Sequence, residues 1–388
     1  MAHTSASPGA LLRHVRKGRA HSRAELVALT GASRNTISAR VDQLIEANLL
    51  EEGGRGWSTG GRPPTILQFN SRAGCVLAVD LGVTSVDVAV TDLSAQVLAT
   101  VGHPIDIADG PGPVLAEVDR LAQKVLADAG LSPSDVRAVG VGVPGPVEFS
   151  TGRPSHPPIM PGWHDHPIPG AFARYECPVY VDNDVNVMAL GELGVADSAD
   201  DVLVVKVGTG IGCGVIVEGR VYRGAQGSAG DIGHIYVAQP DGRTVVCRCG
   251  NENCLEAIAG GGALFRDALA AGLPVTSTRQ VIELASHGDG AAVELVRNSG
   301  RTIGIVLAAL VNFFNPHRIV MTGGVAQAGL PLLAGIRETV YRRSMPLAAR
   351  SLEISVSDAP EMSGRVGAAL MAIEGFLDED AIHQALAR

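Results

Sequence analysis

Residues 202–221 read V-L-V-V-K-V-G-T-G-I-G-C-G-V-I-V-E-G-R-V. Gly208, Gly210, Gly212 and Gly214 lie between apolar, strand-like runs on both sides, with Thr209 among them. A dinucleotide fingerprint needs a helix after its glycines, so this stretch reads as a hairpin whose turn offers backbone N–H groups to an anion. A hairpin of the same texture stands upstream at 75–92, C-V-L-A-V-D-L-G-V-T-S-V-D-V-A-V-T-D, with a tight turn at Leu81 to Thr84. Gly82 and Thr84 lie in that turn, and Asp80 just before it can hold Mg²⁺ through water. A third glycine pair, Gly323 and Gly324 in R-I-V-M-T-G-G-V, follows a strand, at a place suited to a nucleotide's adenosine.

Between the two hairpins lies P-V-Y-V-D-N-D-V-N-V-M-A-L-G-E. Its pattern predicts a strand ending at Asp182 and a helix starting near Asp184, which sets Asn183 and Asp184 at a strand–helix junction. Asp184 is a candidate general base for a sugar hydroxyl, the role phosphoryl transfer assigns to a carboxylate. The same two residues equally suit a plain capped helix start.

Three of the six cysteines crowd together as Cys247, Cys249 and Cys254, and His234 precedes them by 13 residues. One imidazole and three thiolates close a tetrahedral shell with no open position, the pattern of a structural Zn²⁺. Cys75, Cys177 and Cys213 have no such spacing and are expected in the core.

Upstream of the hairpins the texture is helical. Ser22 and Glu25 form an S-x-x-E capping signature, Leu26, Val27 and Leu29 supply an apolar face, and Gly31 ends that helix. Ser33 caps a third helix with Ile37, Val41, Leu44 and Ile45 on one face. Two helices joined through a short glycine-containing turn match a helix-turn-helix. The other face and N-terminal end carry Ser33, Arg34, Asn35, Thr36, Ser38 and Arg40, side chains able to bond base edges or phosphates. Residues 51–67 then read as a glycine-rich hairpin bearing Arg55 and Arg62, the form of a wing. Polar exposed faces also occur on small helical heads that bind no DNA.

Charge supports the division. Residues 1–65 carry nine Lys/Arg and five Asp/Glu, whereas the remainder carries 22 basic and 35 acidic side chains, for a net charge of −9 overall. A basic head on an acidic body suits a head that meets a polyanion. The longest apolar run, around Ile303 to Phe314, is broken by Asn312 and falls short of the roughly 18 to 20 residues of a membrane span. With no apolar leader at the start, the cytoplasm is the expected compartment and no membrane contact is expected.

From about Cys75 to about Phe376 the chain resembles the ROK family of bacterial sugar kinases and sugar-sensing repressors. The resemblance rests on D-L-G-V-T, V-P-G-P-V, D-N-D-V-N, G-T-G-I-G-C-G, A-G-D-I-G-H, C-R-C-G-N-E-N-C-L-E and the Gly-Gly loop, in that order. It implies a two-lobed α/β, actin-like (ribonuclease-H-like) sugar-kinase-type domain over 75–388. The first lobe would be about 75–182 plus the C-terminal helix and the second about 183–360, behind a winged helix-turn-helix at 8–68. It further implies a sugar near Asn183, Asp184, Asp231, His234 and Glu256, the zinc set above, and assembly as a homodimer or homotetramer.

The family's kinases usually read D-I-G-G-T-K at the first loop; Val83 and Ser85 replace the second Gly and the Lys here. Asp231 replaces the family's sugar-contacting Glu, Pro158 takes the place of an Asn often found before Trp163, and Trp163 is a candidate wall of the site, although a lone Trp more often serves simple packing. The expected function is a DNA-binding regulator of carbohydrate metabolism, its operator affinity set by a sugar or sugar phosphate. The alternative is an ATP- and Mg²⁺-dependent sugar kinase using Asp184.

Overall fold

The computed structural model describes residues 6–55, 65–196, 200–239 and 242–386. The head begins with α1 (Pro8–Arg16), α2 (Arg23–Thr30) and α3 (Arg34–Glu46). Each start is capped by a serine: Ser7 accepts from Ala10 N–H, Ser22 from Glu25 and Ser33 from Thr36. The Glu25 carboxylate reaches back one residue further than a capping box requires and accepts from His21 N–H at 2.8 Å. Gly31 ends α2 with a φ of +71°, a left-handed conformation open to glycine at no steric cost. Leu26, Ile37, Val41 and Leu44 are buried, whereas Leu29 lies exposed, off the apolar face expected for it. A two-stranded antiparallel ribbon follows, β1 (Leu50–Arg55) with β2 (Thr65–Phe69). Arg62 and the ribbon's tip fall outside the described residues, as does the side chain of Arg55.

The body repeats one plan twice. In the first sheet β3 (Cys75–Leu81), β4 (Ser85–Asp92) and β5 (Val97–Pro104) are antiparallel neighbours. After α4 (Pro111–Asp128), β6 (Val136–Val143) adds in parallel to β3. A short ribbon, β7 (Val147–Glu148) with β8 (Arg153–Pro154), leads to β9 (Val179–Asn183), parallel to β6. Then α5 (Asp184–Ala196) crosses to the second sheet, where β10 (Val202–Val207), β11 (Ile211–Val217) and β12 (Arg220–Val221) are antiparallel. Helices α6 (Leu255–Ala259), α7 (Gly261–Ala270), α8 (Thr278–Ser286) and α9 (Gly290–Phe314) precede β13 (Arg318–Thr322), parallel to β10. Finally come α10 (Leu330–Arg343), α11 (Pro346–Ala349), β14 (Glu353–Val356), α12 (Pro360–Phe376) and α13 (Glu379–Leu386). Both glycine turns thus join antiparallel neighbours, as the flanking strand patterns require.

Strand alternation sorts the core into layers. On β3, Cys75, Leu77, Val79 and Leu81 pack with Val118, Leu121 and Val125 of α4, while Val76 and Ala78 face Ala368, Ala369 and Ala372 of α12. On β10, Leu203, Val205 and Val207 join Ile303 and Leu307 of α9, while Val202 and Val204 face Ala189 of α5. Helices α5 and α12 therefore lie between the two sheets, in backbone contact. A Cβ on Gly191 would fall 2.0 Å from the Ser363 carbonyl oxygen, and one on Gly367 1.7 Å from that of Val187. Head and body share one core, because Leu11, Leu12 and Leu44 belong to the same buried cluster as Ala368 and Ile373. Among the described residues no helix is long and apolar enough to cross a membrane.

Candidate functional site

The turns of the two hairpins open on one cleft of about 1180 Å³. Its wall includes Asp80, Gly82 and Thr84 from the first turn, Gly208, Thr209, Gly210 and Gly212 from the second, and Gly323 and Gly324 after β13. Asn183, Asp184, Asp231, His234 and Glu256 border the same space. Residues read as phosphate loops, sugar contacts and base are therefore neighbours in space.

The strand–helix junction falls where its pattern predicts. Asp182, 1% exposed, accepts from Asn183 N–H, from Asn186 Nδ2 at 2.9 Å and from Arg223 Nε at 2.7 Å. Arg223 in turn lies over the Phe149 ring, 4.0 Å from its centroid. Asn183 is committed on both sides: its Nδ2 donates to Gly145 O at 2.9 Å and its Oδ1 accepts from Val185 N–H. These bonds hold the corner rigid and present Asp184, 4% exposed, to the cleft.

Asp184 is not free there. Lys206, at the cleft end of β10, donates to its Oδ2 at 2.5 Å. The sequence reading passed over Lys206, yet a lone lysine inside V-L-V-V-K-V is a signal, since a buried ammonium needs an anionic partner. Asp80 faces α12, where a Cβ on Gly364 would sit 1.8 Å from its Oδ2. Burial pushes the Asp80 carboxyl up to about 6; Lys206 opposes the rise and Asp184 adds to it. The carboxylate read as able to hold Mg²⁺ through water thus has the Lys206 ammonium among its surroundings.

His234 and Cys249 also line the cleft, and together with Cys247 and Cys254 they place four donor atoms within 4.8 Å of one another. Cys247 Sγ lies 3.6 Å from His234 Nδ1, and Cys249 Sγ 3.7 Å from Cys254 Sγ. This cluster can hold a metal ion. Glu256, in the first turn of α6 two residues after Cys254, accepts from Cys247 Sγ at 3.4 Å, and its Oε2 would lie 2.9 Å from a Cβ on Gly210. The cluster thereby joins a cleft carboxylate to the second glycine turn. Asp231 is half exposed, with Oδ1 4.0 Å from His234 Nε2. Cys75 and Cys213 are buried in the core and Cys177 is half-buried.

Two expectations change. Trp163 is no wall of the cleft: it is fully buried in the first-sheet core, with Nε1 donating to Ile107 O at 3.0 Å. Pro158 does border the cleft, but beside it His156 brings an imidazole that the sequence reading missed; its φ of +45° turns the chain there and its ring stacks on His164. In the head, Arg34 and Asn35 are exposed at the N-terminal end of α3, and Thr36 and Ser38 are half-buried. Arg40 points elsewhere, donating to the Ala6 carbonyl in a recess lined by Gln43 and by His383 and Leu386 of α13.

Fold and site together define a two-lobed α/β protein of sugar-kinase type carrying a helix-turn-helix head. More narrowly, the chain belongs to the ROK family, whose pattern matches residues 76–375. The xylose repressor of Bacillus spizizenii is 29% identical over 371 residues, 95% of each chain. The crystal structure of a ROK family transcriptional regulator, described as a homolog of the E. coli MLC protein, superposes with a TM-score of 0.81 at 25% identity, covering 98% of both chains. A ROK family glucokinase from Streptomyces griseus, solved with glucose and AMPPNP, matches with a TM-score of 0.69 at 28% identity, covering 78% of this chain and 100% of its own. The repressor match thus includes the head, and the kinase accounts only for the body.

Proposed function

We propose that this protein is a DNA-binding repressor of carbohydrate metabolism whose operator affinity is set by a sugar or sugar phosphate in the cleft. The observation that carries this reading is the course of α12. Its first turns border the cleft with Pro360, Glu361 and Arg365, and its last turn carries Glu374, ion-paired to Arg16 of the head. Fourteen residues of helix span about 21 Å, so one rigid element touches both sites. A ligand that draws the lobes together shifts α12 and, with it, the head packed on that helix, and a few kcal/mol of differential binding suffices to change DNA affinity.

In this reading Arg34, Asn35, Thr36 and Ser38 meet operator DNA with Ser33 capping their helix, Arg55 and Arg62 add further basic contacts, and a homodimer presents two heads to a palindrome. The sugar lies near Asn183, Asp184, Asp231, His234 and Glu256. Zn²⁺ fits the four-donor cluster: a tetrahedral ion with Zn–S bonds of about 2.3 Å sets its sulfurs about 3.7 Å apart, the separation found between Cys249 and Cys254. It supplies no chemistry with its shell closed and serves to brace His234 and Glu256. The protein acts in the cytoplasm, where its thiolates stay reduced.

The test is operator binding at fixed salt with and without a sugar panel, xylose and glucose first, given the names of the relatives. A several-fold change in DNA affinity is expected with one sugar; an isotherm unmoved by every sugar refutes the sensing half. A second reading, an active ATP-dependent sugar kinase, draws on Asp184 and the intact second glycine turn. It requires turnover with ATP–Mg²⁺ that Asp184→Asn abolishes.

A further inference from the structure

We propose that Lys206 replaces, with its own ammonium ion, the divalent cation that a nucleotide would bring to this cleft, so that the cleft does not load metal-bound nucleotide. Alternation along β10 puts Lys206 on the side of Val202 and Val204, towards α5, and α5 begins with Asp184. Its Nζ reaches Asp184 Oδ2, and the pair is largely shielded, with 5% of the Asp184 side chain and 22% of the Lys206 side chain exposed. Burial works against the lysine's charge, but Asp184 and Asp80 more than offset it and hold its pKa above the ordinary lysine value. The ammonium is therefore a permanent feature of the cleft floor.

Magnesium is held in phosphoryl-transfer sites by one or two carboxylates together with phosphate oxygens. Here Asp184 is bound to Lys206, and Asp80, pressed against Gly364, feels the same positive charge. A divalent ion brought to these carboxylates meets a fixed cation at short range in a poorly solvated place, where like charges repel strongly. The residues present therefore do not fit Mg²⁺–ATP, although the second glycine turn is complete. This inference stands apart from the repressor reading, since sugar-dependent operator binding can succeed or fail without it.

The full-length, zinc-loaded chain is titrated with Mn²⁺, alone and with AMPPNP, with free Mn²⁺ followed by electron paramagnetic resonance. Wild type is expected to show no Mn²⁺ site that Asp184→Asn removes. Lys206→Met, which keeps the length of the side chain and drops its charge, is expected to gain a site at least about tenfold tighter. Adding Asp184→Asn to Lys206→Met should abolish that gain. A folded Lys206→Met chain that gains no Mn²⁺ affinity overturns the proposal. So does an Asp184-dependent Mn²⁺ site in wild type, a result that needs no Lys206 variant to fold; should Lys206→Met fail to melt cooperatively, that wild-type comparison decides alone.

Discussion

Arg16, in the first helix of the head, is ion-paired to Glu374, on the last turn of the helix whose first turn borders the cleft. Glu374 is 58% exposed, so the pair adds under about 1 kcal/mol to stability. In the proposed coupling its part is to link the head to α12. Glu374→Arg should therefore leave the melting temperature and sugar affinity near wild type while reducing the sugar-induced change in operator affinity several-fold. Sugar binding by calorimetry and operator binding by fluorescence anisotropy separate the two effects; an unchanged sugar response would show that coupling runs elsewhere.

Asp80 makes stability depend on pH. Burial raises its pKa to about 6, against about 4 for a free aspartate, so the folded state holds this proton more tightly than the unfolded chain does. That preference is fully present below about pH 4 and is lost as the pH rises through about 6. Asp80→Asn lacks this dependence. Relative to wild type it should gain on the order of 2 kcal/mol between about pH 4 and pH 7.5 in urea melts. A stability difference that is flat with pH, or that moves the other way, counts against the charged, buried carboxyl.

The four-donor cluster, through Cys247 and Glu256, brings the loop containing Cys247 against α6. Cys254→Ser removes one of four donors and should release about one zinc ion per chain, lowering stability by several kcal/mol, since binding free energy to a structural site is folding free energy. Zinc quantified by mass spectrometry, alongside thermal melts with and without chelator, checks both. A chain that melts identically with and without its metal would make the cluster dispensable.

Arg34 projects from the exposed N-terminal end of α3. Arg34→Ala should weaken operator binding by about tenfold, within the 1–3 kcal/mol of a base or phosphate contact, while leaving sugar affinity unaltered. Arg40, turned onto the Ala6 carbonyl, should show its effect in head stability instead. If Arg40→Ala weakens DNA binding more than Arg34→Ala does, the recognition face lies on the other side of α3.

Local patterns were enough for much of this. Serine caps and apolar spacing located the helices of the head, strands on both sides of Gly208 to Gly214 defined a hairpin, and the cysteine spacing with His234 marked a four-donor cluster. Each depends on residues close in sequence, or on chemistry that few other arrangements satisfy. What only the tertiary structure decided is which distant residues meet. Trp163 left the cleft for the core, Arg40 turned away from the exposed end of its helix, and Lys206 met Asp184 across 22 positions. The physical reason is the same in each case: a side chain's partners are set by the packing of layers, and strand alternation gives the face of β10 that bears Lys206 without naming α5 as the element opposite it.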